Sequence, residues 1–259
     1  MTETARVGGP PTEDVLRTLL EDARARGDER VSVETSPDSS RAWAAARFTE
    51  VARVFSISVE ELERLLTGRA AGRSFGSIHV QTDDLEAVAR AVRVYVPRLP
   101  GGSSGSVVAP PRNGWTAVYD ELCDREPAML RRLARELSDR LGAVVLLLGV
   151  EHEAVVRFVL FERGRVMDEY ASVPDFHGPI APGDVVALAA NPTVVARLTG
   201  AEPNDVRAAA RTAKHPEELP PAPELLARLA SALGAPGGEH GYDEARSITG
   251  AIDLPREPL

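Results

Sequence analysis

Residues 143–172 read AVVLLLGV, then EHE, then AVVRFVLF, ERG and RVMDEYAS. Ala143–Val150 is an unbroken apolar run, the pattern of a strand buried on both faces. After the charged break Glu151-His152-Glu153, two more strand-like runs follow, Ala154–Phe161 and Arg165–Ser172. Glu162-Arg163-Gly164 joins them as a tight turn. The spacing predicts an antiparallel meander at the centre of an α+β fold, because three strands with such short links can pair only with their neighbours.

Outward from the meander, the stretch 77–172 predicts strand, helix, two strands, helix and three strands. Ser77–Thr82 alternates like a strand. Asp83-Asp-Leu-Glu86 then caps a helix with Leu85, Val88, Val92 and Val96 on one face. Pro127 opens a helix striped by Leu130, Leu133, Leu137 and Leu141. Beyond Pro174 the chain breaks into short helices punctuated by proline: 184–190, 192–198, 203–212 and 223–233. Residues 12–26, 39–55 and 58–68 read as helices. The resulting organisation is a helical segment at 1–72, an α+β core at 73–174, a helical segment packed on that core at 175–235, and a flexible tail at 236–259, rich in Gly, Pro and acids.

Composition narrows the function. The chain has 259 residues and a net charge of −9, which argues against a general binder of nucleic acid or anionic membrane. No apolar run is long enough for a transmembrane helix, and the first residues lack the basic and apolar regions of a signal peptide. Cys123 is the only cysteine, so no internal disulfide forms and a reducing cytoplasm is expected. Of the 30 basic residues, Lys214 is the only lysine. The arginine excess fits a bacterial protein from a GC-rich genome. Lys214 lies before a helix-ending proline, a poor place for Schiff-base chemistry, and no Gly-Lys-Ser/Thr phosphate loop exists.

Two Gly-x-Ser-x-Gly strings occur, at 72–76 and 101–105. Neither leads from a strand into a helix, so both read as linkers rather than nucleophile elbows. Five histidines are present with none at His-x-x-x-His spacing. The best scattered metal set is His152, Asp168, Asp175 and His177, which a returning meander could gather at one sheet edge. Cys123 follows Leu122 at a strand-to-helix junction and reads as an inert, semi-buried thiol.

Phe48–Leu66 (FTEVARVFSISVEELERLL) resembles a bacterial helix-turn-helix, with Ser56 in place of the turn glycine and Glu60, Glu61 and Glu63 on the recognition helix, where phosphates would repel them. A second resemblance covers more chain. Pro110–Glu121, the leucine-striped helix and Arg165–Asp175 resemble a family of bacterial α+β domains without assigned activity, over residues 77–234. That likeness implies a domain and supplies no mechanism. Trp115, Tyr119, Asp168, Tyr170 and Asp175 form its candidate shared surface.

The function expected is a non-catalytic binding or regulatory module, without cofactor, for a protein or a small polar ligand. A metal-dependent hydrolase using the 152–177 set and a helix-turn-helix regulator are the alternatives.

Overall fold

Val144–Glu151 is a strand whose alternate residues enter two separate hydrophobic cores, which explains why its sequence is apolar at nearly every position. A computed structural model describes residues 31–35, 41–48, 51–58, 72–178 and 180–256. The chain divides into two compact units, 1–71 and 72–259. Among the described residues, no helix is long and apolar enough to cross a membrane.

In the first unit, strands β1 (Val31–Thr35), β2 (Arg41–Phe48) and β3 (Val51–Ser58) form an antiparallel sheet in that order. The helix expected over 39–55 is therefore replaced by a strand pair, with Arg41 opposite Ser58 and Phe48 opposite Val51. The physical reason lies in the composition. Val51, Val54, Phe55 and Ile57 are β-branched or aromatic and favour a pleated strand, while the Ala-rich partner strand can take either form. This also removes the first helix of the helix-turn-helix likeness. Its second half, and the helices expected at 12–26 and 58–68, lie outside the described residues.

The second unit is built on a seven-stranded sheet. Its strands are β4 (Phe75–Val80), β5 (Gly105–Val108), β6 (Thr116–Asp120), β7 (Val144–Glu151), β8 (Val155–Glu162), β9 (Arg165–Ala171) and β10 (Ile252–Pro255). Their order is β10-β5-β6-β4-β7-β8-β9, and every neighbouring pair is antiparallel. The fold is thus α+β with an antiparallel sheet, and the 143–172 meander forms one side of it.

Helices cover both faces. Helices α1 (Leu85–Tyr95) and α3 (Pro127–Leu141) pack on one face, where Val88, Val92, Leu133 and Leu137 meet Val145, Leu147, Val159 and Phe161. Asp84 caps α1 by accepting a hydrogen bond from Ala87 N at 2.8 Å. Between β6 and α3, the short helix α2 (Glu121–Arg125) carries Leu122 and Cys123 inward. The exposed helix α4 (Pro182–Ala187) buries none of its residues, and the other face holds α5 (Pro192–Thr199), α6 (Pro203–Ala209) and α7 (Ala222–Ala232). There Val195, Val206, Leu226 and Leu229 bury Leu146, Leu148, Phe158 and Leu160.

The tail is not free. After α7 the chain crosses the sheet, forms α8 (Tyr242–Ala245), and adds β10 antiparallel to β5. Tyr119 Oη donates to Gly237 O at 2.9 Å and Ser77 Oγ donates to Gly238 O at 3.3 Å. Its glycines serve close approach rather than freedom. A Cβ on Gly237 would sit 2.5 Å from Tyr119 Oη, and one on Gly238 would sit 2.5 Å from Leu148 Cδ1.

Candidate functional site

The aromatic members of the candidate surface are core residues. Trp115 and Tyr170 lie in the core under α5–α7, and Tyr119 lies in a smaller cluster with Val107 and Ala245. Tyr170 stacks on Phe158 at 5.4 Å between ring centroids, and its hydroxyl donates to Arg211 O at 2.6 Å. Tyr119 and Tyr170 are therefore anchors whose buried hydroxyls tie the C-terminal segments to the sheet. Burial raises both phenols above their ordinary range. Asp168 is half-buried, accepts from Asn191 N at 3.0 Å, and is pushed up to about 6 by burial. Asp175 is exposed. The five residues do not make one surface.

The metal set also divides. The meander does return residues 175–177 to the β7–β8 turn. His177 Nε2 lies 2.9 Å from Glu151 Oε2, and the His152 ring sits 6.1 Å from that of His177. Phe176 stacks on His152 at 6.3 Å. Asp168, however, is paired with Leu160, whereas Glu151 is paired with Val155. Five residues of strand separate those two pairs, about 16 Å at the rise of a β-strand. Among the described residues, no three His, Cys, Asp or Glu side chains are grouped to hold a metal ion. The acid that faces His177 is Glu151. Burial alone would raise its pKa, but the His177 hydrogen bond and the Arg157 charge hold it below the usual range.

That turn is unusual. His152 and Glu153 both adopt left-handed backbone, φ 53° and 52°, where neither is glycine or asparagine. Two contacts hold it: Ser74 Oγ accepts from His152 N at 3.0 Å, and Arg73 O accepts from Glu153 N at 3.1 Å. Ser74 is the middle residue of one Gly-x-Ser-x-Gly string, and its hydroxyl serves the turn. Ser103, in the other string, is buried and donates to Asp120 Oδ2 at 2.8 Å. Neither serine stands at a strand-to-helix elbow.

A cavity of about 180 Å³ opens beside this turn, between the start of α3 and strands β4, β7, β8 and β9. Two glycines lie where α3 approaches the sheet beside it. Gly76 on β4 faces Gly149 on β7 beneath Leu130, and a Cβ on Gly76 would sit 2.4 Å from Leu130 Cδ2. Glycine lets Leu130 of the helix settle closely on the sheet at that point. Leu130, Leu147 and Val159 supply an apolar floor.

The walls are charged. Arg131 makes a two-pronged pair with Glu169, at 2.5 and 2.9 Å. Arg157 Nε is 3.1 Å from Glu151 Oε1, close enough for charge attraction. Yet its N–H is not aligned with that oxygen. Among the described residues the buried Nε has no hydrogen-bond acceptor. Asp124 completes the wall. Its two oxygens accept from Gly76 N at 3.0 Å and Tyr242 N at 2.8 Å, and burial pushes it up to about 6. Cys123 borders the cavity, but burial and the nearby Asp120 charge push its thiol well above the ordinary range.

Sequence reasoning passed over this cavity. Its trace was Gly149, a lone glycine inside an apolar strand, which marks a close backbone approach. It also passed over His79. That side chain is fully buried on β4, with Nε2 3.0 Å from Ser77 Oγ. Because Ser77 donates to Gly238 O, the imidazole Nε2–H is assigned as donor to Ser77, and Nδ1 is left without a partner. Burial drives its pKa down to about 3, so it is neutral.

No protein-family model, no curated protein and no solved structure matches the chain. The likeness over 77–234 accordingly adds no mechanism, and function rests on the geometry.

Proposed function

We propose that the second unit is a non-catalytic binding module for a small polar ligand, held in the cavity between α3 and the sheet. The observation that carries this reading is an apolar cavity edged by two charged pairs, Arg157 beside Glu151 and Arg131 beside Glu169, with the Arg157 side chain only partly buried. The apolar floor with a few charged groups at its edge is the usual make-up of a small-molecule site. The volume suits a compound of amino-acid size. The buried thiol of Cys123 and the purely structural bonds of Asp124 support binding without turnover. One buried cysteine fits a reducing compartment such as the cytoplasm.

Calorimetric titration with a panel of free amino acids and small dicarboxylates tests this. One chemical class should bind saturably, and Arg157→Met should weaken it about tenfold or more. A panel that fails throughout, or a binder indifferent to Arg157→Met, would overturn the reading.

A further inference from the structure

A second concave site lies on the same unit, at the far end of α3 and the β8–β9 turn. Its volume is about 370 Å³, and four arginines line it: Arg132 and Arg135 from α3, Arg163 and Arg165 from the turn. Such crowding runs against the composition, because the whole chain carries a net charge of −9. Two carboxylates also border the groove, Glu136 and Asp139. Glu136 is already engaged by Arg140. Among the described residues, no carboxylate lies within ion-pair distance of Arg135, Arg163 or Arg165. Arg132 Nε donates to Tyr95 Oη at 3.2 Å, so the tyrosine keeps its own proton for another acceptor.

The backbone gives an independent observation. Arg163 and Gly164 form the two-residue turn between β8 and β9, with φ 50° and 72°. Asn-Gly is the low-strain choice for that turn. An arginine in left-handed backbone is strained, and such strain gathers at functional positions. The strained residue is one of the four arginines, and the turn presents Arg163 and Arg165 to the groove together.

We infer that this groove binds the phosphoryl group of a small phosphorylated molecule. Guanidinium groups arriving from two elements match the three oxygens of a phosphate better than the two of a carboxylate. The tyrosine hydroxyl adds a neutral donor. The groove exceeds the size of a phosphate alone and leaves room for the organic part. The site is separate from the cavity at Arg157, so either proposal can fail without the other.

The test is titration calorimetry of the full chain with glycerol 3-phosphate, inorganic phosphate and succinate, at low and physiological salt. Glycerol 3-phosphate should bind saturably, more weakly at higher salt, and the double variant Arg135→Ala/Arg163→Ala should lose about tenfold or more. Inorganic phosphate should bind more weakly than the ester, and equal affinity would overturn the ester assignment in favour of the free anion. Arg163→Asn supplies the control for folding. Asparagine suits the turn, so this variant should melt at the same temperature or higher while binding glycerol 3-phosphate less well. Succinate binding as tightly as the ester, no saturable binding by either phosphate, or affinity unchanged in both variants would overturn the proposal.

Discussion

Replacing His79 with glutamine should flatten the acid side of the stability curve. The imidazole has no exposed surface, and burial lowers its pKa from 6.5 to about 3. Between those values the unfolded chain binds a proton that the folded chain refuses. The stability linked to this group is therefore fully present above pH 6.5 and is lost as pH falls toward 3. The slope is about 1.4 kcal/mol per pH unit, so descent from neutral pH to about pH 5 removes about 2 kcal/mol. Asp124 and Asp168 act in the opposite direction. Their pKa values are raised from 3.8 to about 6, so the folded state gains relative stability as pH falls through 6. The absolute curve mixes these terms, and the difference between parent and variant isolates His79. Urea unfolding of a Trp43→Phe background at about pH 7, 6 and 5, followed by the fluorescence of the buried Trp115, measures that difference. The parent's margin over His79→Gln should shrink by about 2 kcal/mol from neutral pH to pH 5. A margin that stays constant would mean that His79 is not held neutral, and the burial argument would fail.

Three further outcomes are expected. Gly238→Ala should destabilise the protein by about 1–3 kcal/mol in thermal or urea unfolding, because the new methyl would lie 2.5 Å from Leu148 Cδ1 and 2.9 Å from Ala230 Cβ. Truncation after Ala235 removes β10 and the partners of Tyr119, Ser77 and Asp124. A clear drop in melting temperature should follow, and an unchanged melt would restore the reading of 236–259 as a loose tail. Cys123 should resist a thiol reagent in the native protein and react fully once the chain is unfolded, since the thiol is buried and its pKa is raised. Rapid labelling of the folded protein would contradict that.

The meander was legible because its chemistry is local. Val144–Glu151 is apolar on both faces, and the charged breaks at 151–153 and 162–164 mark its turns. The two long helices were legible for the same reason: their apolar stripes recur at helical spacing, and Pro127 and Gly142 mark the ends of α3. The strands at 41–58 were misread because an Ala-rich segment fits either state, and pairing with a partner settles the matter. The tail was misread because glycine and proline signal freedom in a sequence, whereas Gly237 and Gly238 are required by the side chains beneath them.

The sites show the same division. Residue types alone suggested His152, Asp168, Asp175 and His177, but register decided that Asp168 stands several residues along the strand from the turn. Trp115, Tyr119 and Tyr170 were expected on a shared surface, and packing places them in the interior as anchors. By itself the sequence determined the α+β class and the central meander, since these follow from periodicity and composition within short windows. Tertiary structure alone decided the cavity beside Gly149, the buried His79 and the gathering of four arginines. Each depends on how segments separated in sequence pack against one another, which a local pattern such as the lone Gly149 can at most hint at.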